Sequence, residues 1–219
     1  MNQLSVCENH KKFSEMTKLA KKTRNKGALR SQRLLTEAFF EILSEKPAKR
    51  IKVTALCDRA GVSTPTFYAH YQTIEEIPYY FYVEKWLTSL TSFLDDLIND
   101  DIPAAEINRR TSEWVLEYWI KEIETYKCLK AAGMEGVLLR LFRIGTKEAI
   151  LRVVSENPDN LPESVVEYVM AISSNIMFTT FDHWVKTGKG ISSQEVLELM
   201  SFVVNWDSFS NMIERYKDS

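Results

Sequence analysis

Thr54, Ser63, Thr64, Thr66, Tyr68 and His70 crowd into the stretch from Ile51 to Tyr71. They are hydrogen-bonding side chains of short to medium reach, suited to contacting phosphates and base edges. The residues between them supply a frame. Leu56 and Ala60, four apart, share one face of a helix that starts near Val53, with Thr54, Asp58 and Arg59 turned elsewhere. Gly61 suits the left-handed residue of a sharp turn, and Val62 packs between the two helices. Ser63 is a strong N-cap and Pro65 fits a first turn, so a second helix opens at about Thr64. Phe67 and Tyr71 then face inward, leaving Thr64, Thr66, Tyr68 and His70 outward. This is the layout of a helix-turn-helix that reads DNA.

Charge points the same way. Up to Gln72 the chain has 14 Lys and Arg against six Asp and Glu, a net of +8. The remainder has 14 against 24, a net of −10, so the almost neutral total of −2 hides a basic head on an acidic body. A polyanion is the straightforward partner for the head. A lysine-rich tail accounts for residues 11–26 but for neither Arg59 nor the turn.

Other chemistries lack their residues. There is no Gly-rich phosphate loop, no Gly-x-Ser-x-Gly and no His-Glu-x-x-His, and only seven glycines in all, so no catalytic residues are expected. His10, His70 and His183 have neither helical spacing nor a cysteine pair beside them, so no metal and no cofactor is expected. Cys7, Cys57 and Cys128 are scattered and read as reduced thiols, with Cys57 as core packing. No apolar run reaches the ~18 residues of a membrane span, and the first residues lack the hydrophobic stretch of a signal peptide. A cytoplasmic protein with no membrane partner is the expectation.

The elements that must position the motif are all helical, which makes an all-α fold. Residues 1–26 form a basic extension, 27–72 a three-helix DNA-binding head and 73–219 a helical body. The extension is either unstructured or a marginal helix. The first firm helix runs from about Ala28 to Ser44, with Leu34 or Leu35, Ala38, Phe39, Ile42 and Leu43 buried and Pro47 as its stop. Thr73 with Glu76 forms a capping box that opens a long helix through Trp86 and Leu97. Counted from Thr73, Pro78 is the sixth residue, so its ring predicts a kink near Ile77 and a hinge there. Further helices are expected over about 104–122, 124–132, 134–155, 162–187 and 192–215.

The last two of these are apolar on more than one side. Val165, Val169, Ile172, Ile176 and Phe181 spread round the first, and Val196, Met200, Val204, Phe209 and Ile213 round the second. A helix apolar on two sides must bury both, and a second copy of the chain is the economical cover, giving a four-helix homodimer interface.

The residues quoted so far, with Arg33-Leu34-Leu35-Thr36-Glu37-Ala38-Phe39-Phe40, Lys49-Arg50-Ile51-Lys52-Val53, Ala60-Gly61-Val62-Ser63 and Thr66-Phe67-Tyr68-Ala69-His70-Tyr71, carry a resemblance. The run from Arg33 to Tyr82 resembles the N-terminal domain of the tetracycline-repressor (TetR) family of bacterial transcription regulators. The resemblance implies repression of genes through double-stranded DNA, relieved when a small-molecule effector binds the body. By position it implies DNA contacts from Thr54, Ser63, Thr64, Thr66, Tyr68 and His70, to which Lys52 and Arg24 of the basic arm are added. Trp184 before a Gly turn and a Ser-capped last helix at Ser192 to Glu195 match the family's C-terminal pattern.

Two departures stand out: Lys52 occupies the place of a threonine N-cap, and Gln72 and Ile74 stand where many members carry lysines. Fewer phosphate contacts are therefore expected at that junction, with the basic arm as compensation. Trp114, Tyr118, Trp119, Phe142, Met177, Phe178 and His183 lie on helices that in this family surround the effector, though aromatics at such spacing also serve as plain core. The rival reading is a TetR-like co-activator that binds proteins and has lost operator reading.

Overall fold

The computed structural model describes residues 26–46, 50–99, 102, 104–155, 162–188 and 190–203. Every regular element among them is an α-helix. In chain order they are α1 (Lys26–Glu45), α2 (Val53–Ala60), α3 (Thr64–His70), α4 (Glu76–Asn99), α5 (Ala104–Lys121), α6 (Ile123–Ala131), α7 (Glu135–Ser155), α8 (Glu163–Thr187) and α9 (Ser193–Val203). Among the described residues, those up to Ile42 and those of Ile51–Ile77 make one compact unit. Those of Leu43–Arg50 and from Pro78 onward make a second.

The first unit is built on the periodicity of its helices. Leu35, Ala38 and Phe39 of α1, Leu56, Cys57 and Ala60 of α2, and Phe67 of α3 are all buried, together with Tyr71, Ile74 and Ile77. The α1 stripe passes through Leu35, and Leu34 and Ile42 remain partly exposed. Fully buried Phe39 and Phe67 each contribute roughly 1.5–3 kcal/mol of apolar burial to this small core. On the surface, Arg59 of α2 reaches Glu41 of α1 at 3.5 Å, a weak exposed pair.

The start of α4 differs from the expectation. The helix opens at Glu76, and the turn before it is tight, with Ile77 N–H donating to the Ile74 carbonyl at 3.1 Å. The Glu76 carboxylate accepts from the Gln72 N–H at 2.7 Å, one residue upstream of the expected Thr73 box. Pro78 is thereby the third residue of α4, where an N–H has no partner within the helix to lose. The kink and hinge expected at Ile77 lose their physical cause, and α4 runs unbroken to Asn99.

In the second unit α7 packs on α8, α8 on α9, α9 on α5, and α5, α6 and α7 on one another. Rings form its spine. Trp119 stacks on Phe142 with centroids 5.4 Å apart, and Tyr126 meets Phe181 edge-on at 4.9 Å. Two polar pins lock the helices. Tyr82 of α4 donates to Glu122 at 3.0 Å, and Lys85 reaches the same carboxylate at 3.0 Å. Burial, with that carboxylate beside it, pushes the Tyr82 phenol up. Tyr126 and Lys130 of α6 both donate to Asp182 of α8.

At the far end Gly188 takes φ +54 and ends α8. Ser192 and Glu195 then form a complete capping box: the Ser192 hydroxyl accepts from Glu195 N–H at 3.2 Å, and the Glu195 carboxylate accepts from Ser192 N–H at 2.6 Å. That bond holds the Glu195 carboxyl below its ordinary range, so its support is present above the unfolded carboxylate pKa and is lost as acid protonates it. Val204, Phe209 and Ile213 lie outside the described residues.

Candidate nucleic-acid interface and body cavity

The turn between α2 and α3 is set by backbone chemistry. Gly61 has φ +63 and ψ +34, and the Val62 N–H folds back to the Cys57 carbonyl at 3.1 Å. A side chain at this φ is strained although the space around it is open. Ser63 is extended at φ −78 and ψ 152, and its hydroxyl oxygen accepts from the Thr66 N–H at 3.2 Å. Ser63→Ala should therefore cost roughly 1 kcal/mol, read as an earlier denaturant midpoint, whereas Ser63→Asp should hold it. An unchanged midpoint in the alanine variant would show that the cap contributes nothing.

This geometry separates the motif's polar residues. Tyr68 is the most outward, 58% exposed, with its ring edge-on to buried Phe67 at 5.2 Å. Thr64, Thr66 and His70 are half-buried and Thr54 is exposed. The Thr66 hydroxyl pairs with the Ser63 hydroxyl at 2.8 Å, so both are partly engaged in the cap. Burial pushes the Cys57 thiol up, while a hydrogen bond with the Thr64 side chain pulls it the other way. Lys52 is exposed at the N-cap of α2, which has no side-chain cap and no acid in its first turn. The start of α2 thus presents uncapped amides beside a cation, a setting that favours an anion. Arg24 lies outside the described residues.

The second unit holds a cavity of about 30 Å³. Trp86 of α4, Thr111, Ser112 and Val115 of α5 form part of its wall. Phe142, Gly145, Thr146, Ala149 and Ile150 of α7 with Ser173 and Met177 of α8 form the rest. Of the residues expected around an effector, Phe142 and Met177 are here. Trp114 stacks between Phe93 and Tyr118, Trp119 is fully buried behind Phe142, and Phe178 meets Phe142 edge-on. His183 is exposed and outside this group.

Trp86, expected only as part of a long helix, and Gly145 are two of the wall residues that the sequence reading did not assign to a site. A Cβ built on Gly145 would lie 2.1 Å from Trp86 Cη2, so the bare glycine is what seats the indole. The available signal was a lone glycine inside a helical pattern, which marks close packing.

No family model matches the chain. A search of curated proteins also finds no match. Among solved structures it is similar to a candidate fatty acid metabolism regulator from Clostridium perfringens. The identity is 14%, the match covers 78% of this chain and 97% of that one, and the TM-score is 0.47. Among the described residues no helix is long and apolar enough to cross a membrane.

Proposed function

We propose that this chain is a TetR-like transcriptional regulator. It binds an inverted-repeat operator as a homodimer through its last two helices, and a small-molecule effector bound in the body releases it. The observation that carries this reading is the α2–α3 pair. A left-handed Gly61 and a Ser63 cap fix α3 so that Tyr68 projects into solvent beside Thr64, Thr66 and His70. The basic balance up to Gln72 and the uncapped start of α2 support a phosphate backbone as the partner. No catalytic role is proposed for any residue.

The roles divide by reach. Tyr68 and His70 donate to phosphates, whereas Thr64 meets base edges or thymine methyls at the opening turn of α3. DNA recovered by selection from genomic fragments should contain an inverted repeat with half-site centres about one helical turn, ~34 Å, apart. Against that DNA, alanine at Tyr68 and His70 should weaken every sequence alike, by roughly 1–3 kcal/mol for the pair. Alanine at Thr64 should instead relax preference at one or two positions. Equal, sequence-independent losses at Thr64 and Tyr68 would contradict the division. Failure to retain duplex DNA at low salt would favour the protein-binding co-activator.

A further inference from the structure

The cavity of the second unit has a lining chemistry that narrows its ligand. None of its wall residues is ionisable, so a charged ligand would be buried there without a counter-ion. Two of its four hydroxyls are spent on their own helices: Thr111 donates to the Ile107 carbonyl at 2.6 Å and Thr146 to the Phe142 carbonyl at 2.9 Å. The indole N–H of Trp86, by contrast, is completely buried and has no acceptor among the described residues.

Two more donors share that condition. The Trp119 N–H and the Tyr118 hydroxyl are also buried without a partner. Their rings stand 5.9 and 6.1 Å from the Trp86 ring and 5.7 Å from each other. Three unanswered donors in one aromatic cluster, each costing roughly 1–3 kcal/mol, form a site that an acceptor would stabilise. Burial, with the Glu122 carboxylate as a second cause, pushes the Tyr118 phenol up, so it stays a hydrogen-bond donor.

We propose that the Trp86–Gly145 cavity is the binding site for an uncharged, ring-shaped apolar compound bearing a carbonyl or ether oxygen, which accepts from the Trp86 indole N–H. The proposal rests on the effector-responsive reading above and names the chemistry of that effector. The cavity as it stands has room for about one water. Admitting a ring displaces the fully buried Trp86 indole from its seat on Gly145, and the apolar surface that the ring buries must offset the cost of that displacement.

The test uses the full chain without DNA and three matched probes: 1-tetralone, tetralin, which lacks the acceptor, and tetralin-1-carboxylate, which carries a charge. Binding is followed by calorimetry and tryptophan fluorescence. Tetralone should bind about threefold to tenfold more tightly than tetralin, the factor one neutral hydrogen bond supplies, and the carboxylate should bind more weakly than either. Trp86→Phe should bring the tetralone-to-tetralin ratio near one while tetralin still binds, which also shows that the variant is folded. Ala149→Leu, which fills the cavity from α7, should abolish binding of both.

A carboxylate that binds as well as the ketone, a ratio unmoved by Trp86→Phe, retained binding in Ala149→Leu, or no binding of tetralone to the natural chain would each overturn the proposal. Because DNA is absent, failure of operator binding leaves this result standing. Tetralone binding without any change in DNA affinity would sink the effector-release reading alone.

Discussion

Gly145→Ala should lower the stability of the second unit by about 2 kcal/mol, an outcome opposite in sign to the usual effect of replacing a helical glycine. Alanine in the interior of α7 would ordinarily gain roughly 0.5–1 kcal/mol from backbone entropy. Against that, the new methyl would lie 2.1 Å from Trp86 Cη2, with Cζ2 and Cζ3 at 2.8 and 2.9 Å. The indole cannot yield cheaply, because it is fully buried and flanked by the Tyr118 and Trp119 rings. Overpacking of a tight core costs ~1–3 kcal/mol and more at separations this short, so the clash wins. The unfolding midpoint should fall by roughly 4–8 °C.

A double-mutant cycle isolates the cause of that loss. In a Trp86→Phe background the outer indole ring is gone, and Gly145→Ala should become neutral or mildly stabilising as the helix-propensity gain reappears. If Gly145→Ala costs the same in both backgrounds, the seat described between α4 and α7 is wrong.

The contrast between Gly61 and Gly145 shows what the sequence could disclose. Gly61 announces itself locally: it follows an apolar pair four apart, precedes a serine that can cap, and leads into Phe67 and Tyr71 at helical spacing. Every partner of that turn lies within a few residues, so φ +63 at Gly61 and the Ser63 cap follow from neighbours alone. Gly145 depends on Trp86, on another helix far along the chain, and no short-range pattern couples them. The same limit governs the expected effector residues. Helical spacing places Trp114, Tyr118 and Trp119 on the inner side of α5, but which ring meets the cavity is decided by the helices opposite.

The start of α4 failed for a subtler reason. Thr73 and Glu76 have the spacing of a capping box, yet Glu76 bonds the Gln72 amide instead. A shift of three residues in the helix start turns Pro78 from a break into a favourable first-turn residue.

On the proposed dimeric reading, breaking the surface stripe of α8 should convert the operator-binding dimer into a weakly binding monomer. Tyr168 and Ile172 are 72% and 58% exposed, and Asn175 and Thr179 continue the same face one and two turns on. Leu199 of α9 is 52% exposed. Large apolar side chains left this open on the two helices that pack together are where a second copy would seat. Tyr168→Asp with Ile172→Asp should change the stability of the isolated chain by less than ~1 kcal/mol, since both side chains face water. In a dimer the same carboxylates would be buried without partners, which costs several kcal/mol.

Two linked half-sites gain roughly 100-fold to 10,000-fold over one through effective concentration. The double variant should therefore sediment as a monomer and lose at least about 100-fold in operator affinity, with its affinity for a single half-site unchanged. Sedimentation of the variant as an intact dimer would place the interface elsewhere, and a natural chain that binds the inverted repeat tightly as a monomer would remove the need for one.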